Sequence, residues 1–386
     1  MLSNSEIVSL TEFRRALHRR PELSGEEAET ARAVVAFLAP SRPDAVVEGL
    51  GGHGVAVSYE SGREGPTLMF RAELDALPIE EKSDAPHRSD SPGKAHLCGH
   101  DGHSTILAGL GLLLGRRRPA RGRVILLFQP AEEDGSGAAA VLADPRFESL
   151  RPDWIFAVHN MPGLPHGSIA LAAGPASCAS LGLQVTLEGR TAHAATPETG
   201  ISPAGCVAAL LTALPAIAPG GPPGPDFRMI TLCHTRIGEP AFGIAPGRAE
   251  VWLTLRTVTD DALETLQTEV RARIARLAEA GGLRCSFAVH DHFHACTNDA
   301  EASARLSRAA DAVGLPRVDA QLPMRASEDF GLFGHHAGAA MALLGAGTDM
   351  PMLHNPDYDF PDGLIAPGVA LFAKVVDDAM LRKAEP

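Results

Sequence analysis

A chain of 386 residues, 45% hydrophobic and 21% charged, has the balance of a globular protein long enough for two domains. Its formal net charge of -13 excludes a partner held by phosphate neutralisation, so no nucleic acid is expected. The longest apolar stretch, 106–114, is too short to span a bilayer, and no basic-then-apolar leader opens the sequence. No membrane partner is therefore expected, and a cytoplasmic location is.

From the N-terminus, apolar residues recur at helical spacing over 7–20 and 26–38. Pro21 and Gly25 break the pattern, and Ser24 is placed to cap the second helix. Short continuous apolar runs follow at 54–57, 67–70, 124–128, 154–158 and 340–344, with helical patterns at 106–114 and 136–142 between several of them. Continuous apolar strands alternating with helices predict an α/β domain with a central, mostly parallel sheet covered on both faces. The one basic cluster, Arg116, Arg117, Arg118, Arg121 and Arg123, reads as a solvated turn.

The segment 178–290 has a different grammar. Residues 181–187 alternate as a half-exposed strand, a helix is predicted over 203–214, and strands over 229–237 and 249–256. A long amphipathic helix at 261–280 ends at Gly281–Gly282 and leads into a last strand at 283–289. The order βαββαβ predicts a ferredoxin-like domain, 178–290, inserted into a larger α/β domain made of 1–177 and 291–386.

Acids and histidines gather just past the apolar strands. Phe70 leads to Glu73 and Asp75, Phe128 leads to Glu132 and Glu133, and Val158 leads to His159. Sites in open α/β sheets form outside the carboxyl ends of the strands. In the segment His96 to His103, Cys98 and His100 stand two apart. An extended backbone would point both the same way, and a helix starting near His103 would favour a thiolate at Cys98. His354 is a further candidate, carried only by the others. The six cysteines form no CxxC pair; in a reducing compartment most are small buried hydrophobes, and only Cys98 keeps chemical company. A Cys–His nucleophile would leave the glutamate pair and the extra histidines without a task. Thiolate, imidazole and carboxylate together suit zinc and related transition metals.

Eight motifs carry a resemblance to a known family. They are LeuHisArgArgProGluLeu at 17–23, ArgAlaGluLeuAspAlaLeuPro at 71–78, HisLeuCysGlyHisAspGlyHis at 96–103 and PheGlnProAlaGluGlu at 128–133. HisAsnMetProGlyLeuPro at 159–165, GlyArgThrAlaHisAlaAla at 189–195, SerGluAspPhe at 327–330 and LeuHisAsnPro at 353–356 complete the set. In order and combination they resemble the M20 metallopeptidase family, in its branch of aminoacylases, hippurate hydrolases and auxin–amino acid conjugate hydrolases. The resemblance implies two divalent ions, zinc, manganese, cobalt or nickel, held by Cys98, His100, Glu133, His159 and His354. It implies Glu132 as general base and Asp75 as the aspartate that orients the metal site. His193 would reach the substrate from the inserted domain, which would act as a lid and pair subunits in a homodimer. Arg256 would hold the substrate carboxylate. The implied reaction is hydrolysis of the amide bond of an N-acyl or N-aroyl amino acid by a metal-bridged hydroxide. The resemblance also carries departures: Glu73 stands where the branch has Asp, Gly243 where a pattern starts with Asn, and Met161 where Trp is common. Ser327, with Glu328 and Asp329 after it, reads as a helix cap.

A dipeptidase or carboxypeptidase would use the same two-metal chemistry with a different pocket. A metal-dependent binding protein without catalysis would have no use for Glu132. A nucleotide enzyme lacks a glycine loop placed between strand and helix; the glycines at 49–54 precede a strand and read as a turn.

Overall fold

The computed structural model describes residues 1–380. The first half of the chain forms helices α1 (Asn4–Arg19), α2 (Ala28–Leu38), α3 (His100–Arg116) and α4 (Gly137–Ala143). It also forms strands β1 (Ala45–Leu50), β2 (Gly54–Glu60), β3 (Thr67–Glu73), β4 (Arg123–Gln129), β5 (Trp154–Pro162), β6 (Ile169–Ala170), β7 (Gly174–Ser177) and β8 (Ala179–Glu188). The second half adds β9 (Ala192–His193), α5 (Ala204–Ile217), β10 (Arg228–Ile237), β11 (Ile244–Ala245), β12 (Arg248–Thr257), α6 (Asp260–Ala280) and β13 (Arg284–Phe293). β14 (Cys296–Asn298), α7 (Ala300–Val313), β15 (Gly338–Gly347) and α8 (Ile365–Met380) complete the set. No helix among the described residues is long and apolar enough to cross a membrane.

Two compact units result. The first comprises Met1–Ala176, Thr297–Gln321 and the chain from Asp329 on; the second comprises Ser177–Cys296 and Leu322–Glu328.

The first unit is an α/β layer structure on a seven-stranded sheet of order β1-β2-β4-β3-β5-β15-β6. The four central strands, β4, β3, β5 and β15, run parallel, and the flanking pairs are antiparallel. Every residue of Val124–Gln129 is buried, as a strand covered on both faces requires. α3 is buried almost all round, and its Gly102 carries no Cβ because one would strike the Phe360 ring. The expected strands and helices are present; the strands run longer than expected, while α2 begins two residues later and α4 one residue later. The edge strand β1, largely exposed, has no counterpart among the expected elements. α2 starts after Glu27 without a side-chain cap; Ser24 instead donates to Asp75 Oδ2 at 2.7 Å.

The second unit is ferredoxin-like. Its four-stranded sheet has the order β10-β12-β8-β13, antiparallel throughout. Apolar residues of β8 and β12 alternate inward and pack with Leu210 of α5 and Leu266, Val270 and Ile274 of α6.

In the first unit, α1 and α3 are joined by buried charge. Arg14 of α1 is fully buried and reaches Asp101 of α3 at 3.0 Å and Asp359 at 2.7 Å. Both ring nitrogens of His18 face carboxylates, Nδ1 on Asp101 at 2.9 Å and Nε2 on Glu81 at 3.3 Å, so the ring donates twice as an imidazolium. Burial works against that charge, but the Asp101 carboxylate and the bonds to Asp101 and Glu81 outweigh it and raise His18 to about 9. A group whose folded pKa lies above its unfolded value of about 6.5 stabilises fully below that pH. Its contribution is lost as pH rises through the folded value. Unfolding free energy of the metal-free protein is therefore expected to fall between about pH 6.5 and 9, by at most about 3 kcal/mol. Urea unfolding of His18→Gln across that range is expected to lack the slope; an undiminished slope contradicts the imidazolium.

Candidate metal centre

The carboxyl ends of the parallel strands and the start of α3 supply the site. Glu73 ends β3, and Asp75 follows two residues on, fully buried. The loop after β4 turns at Ala131, whose φ of 51° is left-handed and whose N–H donates to Glu27 at 2.8 Å. Glu132 and Glu133 follow that turn. His159 lies within β5, and His354 follows β15 with a left-handed φ of 67°. The His354 N–H donates to the Leu97 carbonyl at 2.9 Å, which ties this distant loop to the Cys98 segment.

The expectation of an extended Cys98–His100 segment is corrected by the structure. α3 begins at His100, and Gly99 before it has a φ of 94°. That left-handed turn brings Cys98 and His100 together, and a Cβ at Gly99 would strike the Asn160 carboxamide. The expected thiolate is corrected as well. Burial, and then the Glu133 carboxylate, push the Cys98 thiol far above its ordinary range, so the helix start alone does not ionise it.

Ligand atoms of Cys98, His100 and His159 lie within 4.8 Å of one another, as do those of Cys98, Glu133 and His354, and those of His100, Glu132 and Glu133. Cys98 is common to the first two groups. Its Sγ stands 3.6 Å from His159 Nε2. His100 Nε2 is 3.7 Å from both Glu132 Oε2 and Glu133 Oε1, and His354 Nε2 is 3.5 Å from Glu133 Oε2. All six residues thus converge in the first unit.

Asp75 orders this group from behind. Its carbonyl accepts from His100 Nδ1 at 2.9 Å, and its Oδ2 accepts from the Glu133 N–H at 2.9 Å. Burial would raise its pKa, but the bonds from His100, Glu133 and Ser24 hold the carboxylate below its usual value. Because a carbonyl only accepts, His100 carries its proton on Nδ1 and turns Nε2 toward the acids. That Nε2 is buried and has no hydrogen-bond partner. His159 repeats the arrangement: Nδ1 donates to the Asn160 carbonyl at 2.8 Å, leaving a lone pair on Nε2. Nitrogen, sulfur and carboxylate oxygen converging in this way fit a cation. Sulfur and nitrogen on one tetrahedral zinc stand about 3.5 Å apart, close to the Cys98–His159 separation.

His193 and Arg256 belong to the second unit. His193, exposed, sits opposite Ile244 in the β9–β11 pair, and its Nδ1 accepts from the Ala195 N–H at 3.0 Å. Arg256 of β12 donates to the Arg325 carbonyl at 3.0 Å and to Ser327 Oγ at 2.8 Å. Ser327 is therefore an acceptor for Arg256, and the short helix after it runs Asp329–His335. His103 is missing from the sequence reading, and Glu73 was named there without a role; both are buried beside the group and joined by a 2.6 Å bond. The third histidine of the His96–His103 motif was the available signal.

The sequence profile of peptidase family M20/M25/M40 matches residues 69–378. The chain is 30% identical over 358 residues to the N-acetyl-L-cysteine deacetylase of Bacillus subtilis, covering 92% of this chain and 84% of that relative. It is 29% identical over 365 residues to the hippurate hydrolase of Campylobacter jejuni, 94% of each. Among solved structures, the Bacillus subtilis YXEP protein, a dinuclear metal binding peptidase from the M20 family, aligns with a TM-score of 0.82 and 25% identity. That alignment covers 98% of this chain and 99% of the other. The chain belongs to peptidase family M20/M25/M40 and is a hydrolytic enzyme of its amidohydrolase branch.

Proposed function

We propose that the protein hydrolyses the amide bond of N-acyl and N-aroyl amino acids, releasing a carboxylic acid and a free amino acid, at a pair of divalent cations. The observation that carries this reading is the sharing of Cys98 between two ligand groups, with Glu132 beside them. The relatives support the substrate class, being named deacetylases of N-acetyl amino acids, hippurate hydrolase and, in Arabidopsis thaliana, an IAA-amino acid hydrolase.

Cys98, His100 and His159 would hold one ion, and Cys98, Glu133 and His354 the other. The donor set suits zinc, manganese, cobalt or nickel. Bound there, divalent ions acidify a water and polarise the scissile carbonyl. Glu132, 5% exposed, is the general base that takes the proton of the attacking water and returns it to the leaving amine. Asp75 holds the His100 ring and the Glu133 backbone in place. His193 steadies the oxyanion of the substrate, and Arg256 holds its carboxylate; a site left with about two positive charges favours an anionic substrate. The second unit serves as lid and joins two subunits through its sheet edges, β10 and β13, and exposed Leu232 of β10 supports that role. A cytoplasmic location suits the six free cysteines.

Glu132→Gln is expected to keep its metal and to lose roughly 10²–10⁴ in kcat on N-acetyl amino acids and hippurate, the size of a general acid–base contribution. Near-normal turnover would remove Glu132 as base. Cys98→Ala is expected to lose bound metal by elemental analysis, and equal metal content in the unmodified chain would strike Cys98 from the ligands. Side-by-side assay of hippurate, N-acetyl amino acids and dipeptides tests the substrate class; turnover of dipeptides alone would make the enzyme a dipeptidase.

A further inference from the structure

His103 is a ligand-type residue three positions after His100, and Glu73, His100 and His103 are close enough to hold an ion. The hydrogen bonds argue otherwise. His103 Nε2 accepts the Asn160 backbone N–H at 3.1 Å. A backbone N–H only donates, so the proton of the ring is on Nδ1, which donates to Glu73 Oε2 at 2.6 Å. Both nitrogens are committed. Glu73 is committed too, since its other oxygen accepts from the Arg71 guanidinium. Arg71 is held in turn by Gln129 Oε1 at 2.8 Å and Asp329 Oδ1 at 2.6 Å, and Asp329 accepts the Ala138 N–H at 2.8 Å. A fixed guanidinium against Glu73 disfavours a cation at that carboxylate.

What this chain of bonds ends on is informative. The Asn160 N–H is the next amide after His159, and the Asn160 carbonyl accepts from His159 Nδ1. The Asn160 side chain donates to Tyr358 at 2.6 Å and packs against Gly99, between Cys98 and His100. The His103 ring itself lies edge-on to His159 with centroids 4.8 Å apart. We propose that Glu73 and His103 are positioning residues, a buried carboxylate–imidazole pair that fixes the His159–Asn160 peptide and aims His159 at Cys98, and that neither is a ligand. The longer Glu at position 73 reaches His103 while keeping Arg71.

This rests on Cys98, His100 and His159 being cation ligands. The test titrates the full-length, metal-free chain with cobalt(II) alone, reading stoichiometry, affinity and the thiolate-to-cobalt absorption of Cys98. His103→Phe, which keeps a ring but no nitrogens, and Glu73→Ala are expected to bind the same number of ions about 10–100-fold more weakly, with an altered absorption band. Glu73→Gln, whose amide oxygen still accepts from Nδ1, is expected to restore affinity to within about threefold. Loss of one ion per chain in His103→Phe makes His103 a ligand and overturns the proposal. Unchanged affinity and absorption in folded variants make the pair merely structural and overturn it as well. An unmodified chain that takes up no cobalt overturns instead the ligand reading beneath. The unmodified chain also gives a test independent of variant folding: nitrogen NMR of His103 is expected to keep the Nδ1–H tautomer when zinc is added. A zinc-induced shift of Nε2 to a coordinated position contradicts the assignment.

Discussion

Cys98, His100 and His159 turn their sulfur and near ring nitrogens toward one another inside the protein, and the rest of the first unit is arranged around that cluster. Each imidazole has its proton pinned on the far nitrogen, His100 by the Asp75 carbonyl and His159 by the Asn160 carbonyl. The near nitrogens face a thiol and two glutamates. Carboxylate, imidazole and thiol gathered at this spacing form a donor set that suits divalent cations. Burial holds Cys98 as a neutral thiol until such a charge arrives. Metal uptake and thiol ionisation are then a single event.

The fold reaches that convergence through three left-handed turns, free of steric cost at Gly99 and strained at Ala131 and His354. Gly99, Ala131 and His354 all adopt left-handed backbone, and each adjoins or forms part of the site. Behind them lie two buried charge networks, Arg14–Asp101–His18 under α3 and Arg71–Glu73–His103 under β5. The first anchors the helix that starts at His100; the second anchors the strand that carries His159.

Much of this was legible in the sequence. The apolar runs that become β3, β4, β5 and β15 announce buried parallel strands, the run at 54–57 becomes the buried antiparallel β2, and the alternation at 181–187 announces the second unit's half-covered sheet. Asp75, Glu132 and Glu133 were legible because they follow strand ends, where such sheets place their sites; His159 was found by the same rule, although β5 runs on past it to Pro162. His354 was not legible alone: its loop reaches Cys98 through a left-handed turn and one backbone hydrogen bond to Leu97. Ser24 has the look of a cap, yet a tertiary partner, Asp75, outcompetes the local one. Edge strand β1 has too little buried surface to leave a pattern. His103 shows the deeper limit. Its residue type and spacing suit a ligand, and only the three-dimensional partners of its two nitrogens assign it another task.

Anomalous diffraction from crystals of the zinc-loaded protein tests the central claim most directly. Two peaks per chain are predicted, both about 2.3 Å from Cys98 Sγ, one toward His159 and the other toward His354. A single peak, or two peaks that do not share Cys98, would contradict the account.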